Sequence, residues 1–363
     1  MACTYNNLFE QIADFEALHR AWGRVIRGRR AQADVLRFER DLEPNLIALQ
    51  ESLRLGAYAT GPYRHFKVFE PKERAISALP LKDRIVQHAL IEAIEPIWEC
   101  RFIHDSYACR PGKGAHAGVD RAQAMLRAVQ REAGCIYVLK ADIAKYFPSV
   151  SHDALKRLLR RRIACAPTLR LIDDIIDSTA EPGDPLPRGI PIGSLTSQLF
   201  ANIYLHELDG FVKNDLRVKR YLRYMDDFAI VDADKARLHE LRREIDGFLH
   251  AHLALRLNAK TQVFPVRPGG RSLDFLGYRI WPTHRLLRRD SVGRMRKKMK
   301  RMARQYHEGQ IDLDRVQRVV ASWVGHAGHA QTYTLRRKVV SGQVFIPPPR
   351  KVAPLEPERR QCA

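Results

Sequence analysis

The chain has 363 residues, with 62 Lys and Arg against 41 Asp and Glu, for a formal net charge of +21. A hydrophobic content of 45% and an aromatic content of 8% exclude a disordered chain and suffice for the cores of two or three domains. No apolar run approaches the roughly 20 residues of a membrane span, and the opening MACTYNNLFEQIADFEALHR lacks the apolar stretch of a secretory leader, so a cytoplasmic protein without membrane contact is expected.

Residues 1–60 carry apolar positions at helical spacing, Leu8, Ile12, Phe15 and Leu18 among them, until Gly61-Pro62 breaks the pattern. Residues 63–69 alternate as a strand does, and 70–73 read as a turn. A helix over 82–98 precedes the Gly-rich segment 106–114, and a second helix covers about 117–131. The apolar run 136–139 follows the breaker Gly134, reads as a buried strand and ends at Lys140-Ala141-Asp142. Helices are expected over 153–162, 195–212 and 235–253, with a Gly/Pro-rich loop over 181–191. Residues 221–231 are largely apolar, interrupted by Arg223, Asp226 and Asp227, and 255–266 and 273–281 read as strands.

The last third changes character. Residues 285–304 hold ten basic residues and one acidic residue, while Val292, Met295, Met299, Met302 and Tyr306 recur at helical spacing. The Met stripe reads as core, and the basic remainder as a face for a nucleic-acid backbone. The whole chain has 46 Arg against 16 Lys, and the planar guanidinium fork suits phosphate oxygens. From Ser341 onward, with Ile346-Pro347-Pro348-Pro349, a mobile extension is expected.

Six scattered cysteines without a CxxC pair argue against structural zinc and against a disulfide framework; they read as reduced thiols packed as small hydrophobes. His326-x-x-His329 lacks a third ligand nearby and reads as packing.

Tyr224-Met225-Asp226-Asp227 is the sharpest local feature. Adjacent carboxylates inside an apolar run meet desolvation and mutual repulsion unless a cation compensates. A tight turn between two strands would present both to one site. Magnesium takes such oxygen ligands, and Asp142, ending its own strand, is placed to supply a third carboxylate.

These residues resemble the motifs of reverse transcriptases. Tyr224-Met225-Asp226-Asp227 is similar to their active-site turn, and Asp142-Ile143-Ala144-Lys145-Tyr146-Phe147 to their first carboxylate motif. The likeness runs in the family's order through 82–88, 106–114 and 191–198 to Lys260 and Phe275-Leu276-Gly277-Tyr278. It implies an α+β right-hand polymerase fold: fingers, a palm of antiparallel sheet flanked by helices, and a helical thumb. The expected divisions are N-terminal helices and first fingers 1–115, palm 116–149, fingers 150–195, palm 196–283, thumb 284–340 and a Pro-rich tail 341–363.

The resemblance also implies the site. Two Mg2+ ions, with Mn2+ able to substitute, would be held by Asp142, Asp226, Asp227 and the Ile143 carbonyl. Lys260 matches a lysine that protonates the leaving pyrophosphate. Lys72, Arg74, Arg110, Lys145, Tyr146, Phe147, Ile192, Gly193 and Gln198 would surround the incoming dNTP, with Phe147 as the steric gate against a 2′-hydroxyl. Tyr224, Met225, Gly277, Tyr278, Arg294, Arg296, Lys297 and Lys300 would meet primer and template.

Within the family, Ile192-Gly193-Ser194-Leu195-Thr196-Ser197-Gln198 departs from the commoner Q-G-x-x-x-S-P and resembles the reverse transcriptases of diversity-generating retroelements. Tyr107-Ala108-Cys109-Arg110, the segment 275–284 and the segment 322–327 do so as well. Those enzymes copy a structured template-repeat RNA into cDNA mutagenised at adenines, usually with a small basic accessory variability protein. Ile192 in place of Gln removes a polar restraint near the nucleotide sugar, a physical route to infidelity. No ribonuclease H, integrase or endonuclease domain is expected in the short stretch after the thumb, so template removal and target insertion are expected to need host factors or partners. The alternatives are a group II intron-like or retron reverse transcriptase, or a non-catalytic RNA-binding scaffold.

Overall fold

The computed structural model describes residues 4–69, 73–181 and 183–348. The chain divides into two compact units, 1–266 and 267–363.

The first unit begins with helices α1 (Phe9–Ile12), α2 (Phe15–Val25), α3 (Ala33–Arg40) and α4 (Leu42–Arg54) and a hairpin of β1 (Arg64–Val68) and β2 (Arg74–Ala78). Next come α5 (Leu81–Glu99), α6 (Ala115–Ala133), β3 (Tyr137–Asp142), α7 (Tyr146–Ser149), α8 (His152–Arg160) and α9 (Ala166–Asp177). Helix α10 (Leu195–Gly210) runs into a π-helical turn over Phe211–Asp215, followed by β4 (Tyr221–Tyr224), β5 (Asp227–Asp232), α11 (Lys235–Leu253) and β6 (Gln262–Pro265). The central sheet has the order β4-β5-β3-β6, antiparallel throughout, with α6 and α11 packed on it.

Local chemistry sets these boundaries. Asp14, Ser151 and Asp234 accept bonds from the first-turn amides of α2, α8 and α11. Strands β3 and β5 bury consecutive residues, as strands covered on both faces do, and Val138, Leu139, Phe228, Ala229 and Ile230 are closed to solvent. Burial of each such large apolar side chain contributes about 1.5–3 kcal/mol, and one continuous core ties the N-terminal helices, α5, α10 and the sheet together.

The second unit holds β7 (Leu273–Phe275), β8 (Tyr278–Ile280) and β9 (Arg285–Leu287) in an antiparallel sheet, then α12 (Arg289–His307), α13 (Leu313–Gly328) and α14 (Tyr333–Val340). Met295, Met299 and Met302 bury against Val316 and Val339, as the stripe implies.

Several expectations shift. The strand expected over 255–266 reduces to β6, because β3 offers β6 partners only from Tyr137 to Lys140. The strand over 273–281 is two strands broken at Leu276-Gly277, and α12 starts at Arg289, after the unexpected β9. Gly277 has φ +91°, a conformation that only glycine adopts without strain. Helix α9 had no counterpart in the sequence reading. The β7–β9 sheet belongs to the second unit, whereas the palm was expected to run to residue 283. Part of the tail expected to be mobile is docked: Phe345 packs edge-on to Tyr306 at 6.2 Å, while residues from 349 lie outside the described ones. Cys165 is buried, but Cys100, Cys109 and Cys135 are exposed free thiols, so the expectation of packed cysteines holds for one of these four. No helix among the described residues is long and apolar enough to cross a membrane.

Candidate active site

Strands β4 and β5 pair Tyr224 with Asp227, which leaves Met225 and Asp226 as a two-residue hairpin loop. Such loops need a positive φ, and Met225 supplies it at +57°, an uncommon conformation for a long side chain. On the other side of β5, Asp227 lies directly across from Asp142 at the end of β3. The sheet therefore brings Asp142, Asp226 and Asp227 together at one end. Asp226 is half-buried, and burial followed by repulsion from Asp142 raises its carboxyl above the usual range; Lys140 and Arg74 pull it back.

Two side chains organise this end of the sheet. Lys140 stands two residues before Asp142 on the same face of β3 and forms an ion pair with Asp227, its diagonal neighbour on β5. Asn258 donates its side-chain amide to Asp142 at 3.2 Å and its backbone N–H to the Asp142 carbonyl at 2.7 Å. Asp142 and Asp226 repel, are partly withdrawn from water and offer hard oxygen donors, a set that suits a divalent cation. Among the described residues no three His, Cys, Asp or Glu side chains converge as a ready-made cage.

Beside the carboxylates, Phe147 is half-buried and edge-on to Tyr146, with ring centroids 5.6 Å apart. Its carbonyl accepts the Ile190 amide at 3.0 Å, and the Ile192 carbonyl accepts the Ser77 amide of β2, also at 3.0 Å. The segment 190–193 is thus strung between the Phe147 turn and the β1–β2 hairpin. Gly193 has φ +112°, and a Cβ there would lie 2.9 Å from Ile76 Cγ2. Ile192 and Gln198 are half-buried, while Arg74, Lys145, Gly193 and Lys260 are exposed. Lys72 lies outside the described residues. Ile143 is buried and bridges to Leu257.

Residues 68–280 match the model of the reverse transcriptase (RNA-dependent DNA polymerase) family. The chain belongs to this family. Protein YkfC of Escherichia coli is 32% identical over 295 residues, 70% of this chain and 74% of its own length. The group II intron-encoded protein LtrA of Lactococcus lactis is 24% identical over 239 residues, 62% of this chain but 38% of LtrA. Among solved structures, apo telomerase from Candida tropicalis matches 64% of this chain and 55% of its own at 13% identity, with a TM-score of 0.47. The antiparallel sheet bearing the carboxylates is the palm of the right-hand polymerase fold, and the chain is an RNA-directed DNA polymerase by family.

For a reverse transcriptase, three expected contacts need correction. Arg110 does not face a triphosphate: its guanidinium binds the Glu99 carboxylate and the Ile103 and Ser106 carbonyls, and its side chain is 5% exposed. Tyr146 is buried under the site, where its hydroxyl donates to the Ala201 carbonyl at 2.6 Å. Tyr278, expected on primer or template, is buried within the second unit and donates to the His326 carbonyl at 2.8 Å. The His326 ring lies tilted at 45° to that ring with centroids 4.9 Å apart, which suits its reading as packing. Arg294, Arg296, Lys297 and Lys300 are all exposed on α12, opposite the buried methionines.

Lys140, Asn258 and Asp209 were not singled out by sequence reasoning, and Arg223 was noted only as an interruption. Arg223 and Asp209 are charged residues in apolar stretches, a signal that each has a buried partner. Nothing local marks Asn258, whose partner is 116 residues away.

Proposed function

We propose that this reverse transcriptase copies a structured template-repeat RNA into adenine-mutagenised cDNA for a diversity-generating retroelement. The observation that carries the reading is Ile192 and Gln198 in the segment beside Phe147, where the commoner motif has Gln and Pro. Without a side-chain donor at 192, a mispaired nucleotide meets fewer polar restraints.

In this reading Asp142 and Asp226 hold Mg2+, joined by Asp227 and the Ile143 carbonyl; Mn2+ is able to substitute. When bound, the cations would supply charge neutralisation at the attacking and leaving oxygens as the primer 3′-hydroxyl displaces pyrophosphate from the dNTP α-phosphorus. Asn258 orients the Asp142 carboxylate. Arg74 reaches the triphosphate, with Lys72 two positions before it and Lys145 three positions after Asp142 as further cations, and Phe147 lies under the sugar and rejects a 2′-hydroxyl by contact. Gly193 leaves room for the backbone to approach the nucleotide, with Gln198 behind it. Tyr224 and Met225 meet the primer end, and Gly277 is a further proposed contact to primer or template. Lys260 Nζ gives a proton to the departing pyrophosphate. The exposed Arg294, Arg296, Lys297 and Lys300 hold the template–primer backbone. A small basic accessory protein is the expected protein partner, and the cytoplasm the expected compartment.

A group II intron-like enzyme is the second reading, supported by the likeness to LtrA. Sequencing cDNA made by the purified protein on one RNA template separates the two. Substitutions concentrated opposite template adenines support the retroelement reading, and errors spread evenly over the four template bases overturn it.

A further inference from the structure

Beneath the aspartate turn lies a buried polar strut that the polymerase chemistry itself does not require. Arg223, on β4, is 0% exposed. Its Nε and Nη2 donate to the two carboxylate oxygens of Asp209 on α10 at 2.7 and 2.6 Å. Tyr221 donates its hydroxyl to the same carboxylate at 2.7 Å. The remaining nitrogen, Nη1, donates to the Asn202 side-chain oxygen at 3.1 Å and to the Met225 carbonyl at 3.0 Å. Asn202 in turn donates to the Ala108 carbonyl at 2.8 Å.

The Met225 carbonyl belongs to the peptide that joins Met225 to Asp226. Its orientation fixes the direction in which the Asp226 side chain leaves the loop. That peptide follows a residue held at φ +57°, a conformation with a cost of its own, and carries a carboxylate repelled by Asp142. Both effects would let the loop relax away from β3 unless something below holds it. A guanidinium suits this position because it stays charged and offers a rigid fork: two arms fix it to Asp209 and the third reaches the loop. A buried ion pair contributes little net stability over a packed apolar pair, so its presence directly under a reacting group calls for a geometric reason.

We propose that Arg223, braced by Asp209 and Asn202, is a positioning residue that holds the Met225–Asp226 peptide so that Asp226 stays within chelating reach of Asp142 before any cation arrives. This rests on the reading of Asp142 and Asp226 as the cation pair. Arg223 touches neither substrate nor cation and acts only through the loop.

The test measures Mn2+ binding to the full-length, substrate-free protein by electron paramagnetic resonance, alongside circular dichroism and primer extension. Arg223→Lys keeps the charge near Asp209 but loses the fork. The double variant Arg223→Met with Asp209→Leu replaces the pair with apolar volume and leaves no buried charge unpaired. Folded forms of both should bind Mn2+ roughly tenfold more weakly and lose a similar factor in kcat, with the dNTP KM changed far less. If the double variant fails to fold, Arg223→Lys alone decides. Folded variants that bind Mn2+ within about twofold of the parent overturn the strut. Asp226→Asn separates the two failures: if it leaves Mn2+ binding intact, the cation reading is wrong; if it abolishes binding while the Arg223 variants retain it, the strut alone is wrong.

Discussion

Asn258 donates its side-chain amide to Asp142 Oδ2 at 3.2 Å, while its own side-chain oxygen accepts the backbone N–H of Lys260 at 3.0 Å. One side chain therefore joins the strand-end carboxylate to the loop that carries the proposed proton donor. A hydrogen bond to an ionised group contributes about 1.5–3 kcal/mol, enough for a tenfold or larger effect on rate if it is realised in the transition state.

Asn258→Ala should lower kcat by roughly tenfold and raise the Mg2+ concentration for half-maximal extension, with RNA affinity unchanged. Asn258→Asp should be worse, because it adds a like charge beside Asp142. Steady-state primer extension across a Mg2+ series checks both, and parental values in the Ala variant would remove Asn258 from the site.

Neutralising Arg296, Lys297 and Lys300 together should weaken template–primer binding and reduce the slope of log affinity against log salt by up to about three. The three side chains are exposed on α12 while Met295 and Met299 hold the core, so the fold should survive. An unchanged slope would make this face an ordinary solvated one.

Ile192→Gln returns a donor and an acceptor to the segment held by Ser77 and Phe147. One added restraint of about 1 kcal/mol would cut misincorporation several-fold, most of all opposite template adenine. Identical error spectra from the two enzymes would leave Ile192 as packing alone.

Asp105 gives a pH prediction away from the chemistry. Burial opposes its charge, but bonds from Arg121 at 2.8 and 3.3 Å, with His104 and Lys213 nearby, hold the carboxyl below its usual range. A lowered folded-state value means stabilisation that is present above the unfolded value of about 3.9 and lost as pH falls through the lower folded one. Asp105→Asn should thus cost about 1–3 kcal/mol at neutral pH and almost nothing in strong acid, as read by denaturant melts across pH.

The sequence made some of this legible and hid the rest for physical reasons. Helix α11 falls on the bounds its periodicity predicts, because one apolar face repeats without interruption from Leu238 to Leu253. The carboxylate turn was legible because adjacent charges in an apolar strand are costly in any context. Arg110 was misread because Glu99, which binds it, lies across a loop, and local sequence gives a guanidinium no direction. Residues 255–261 look like strand, yet they wrap the end of β3 through Leu257 and Asn258, an arrangement fixed by partners more than a hundred residues away. Arg223 and Asp209 are closer in sequence, but only the packing of α10 under β4 brings them together.

Asp142 and Asp226 are proposed to form the reacting centre of an RNA-directed DNA polymerase. Primer extension on an RNA template, with Mg2+ and four dNTPs, tests it most directly when the parent is compared with Asp142→Ala and Asp226→Ala at matched RNA occupancy. The parent should extend the primer and neither variant should, with RNA binding retained in all three; appreciable extension by either variant would remove that aspartate from the reacting centre.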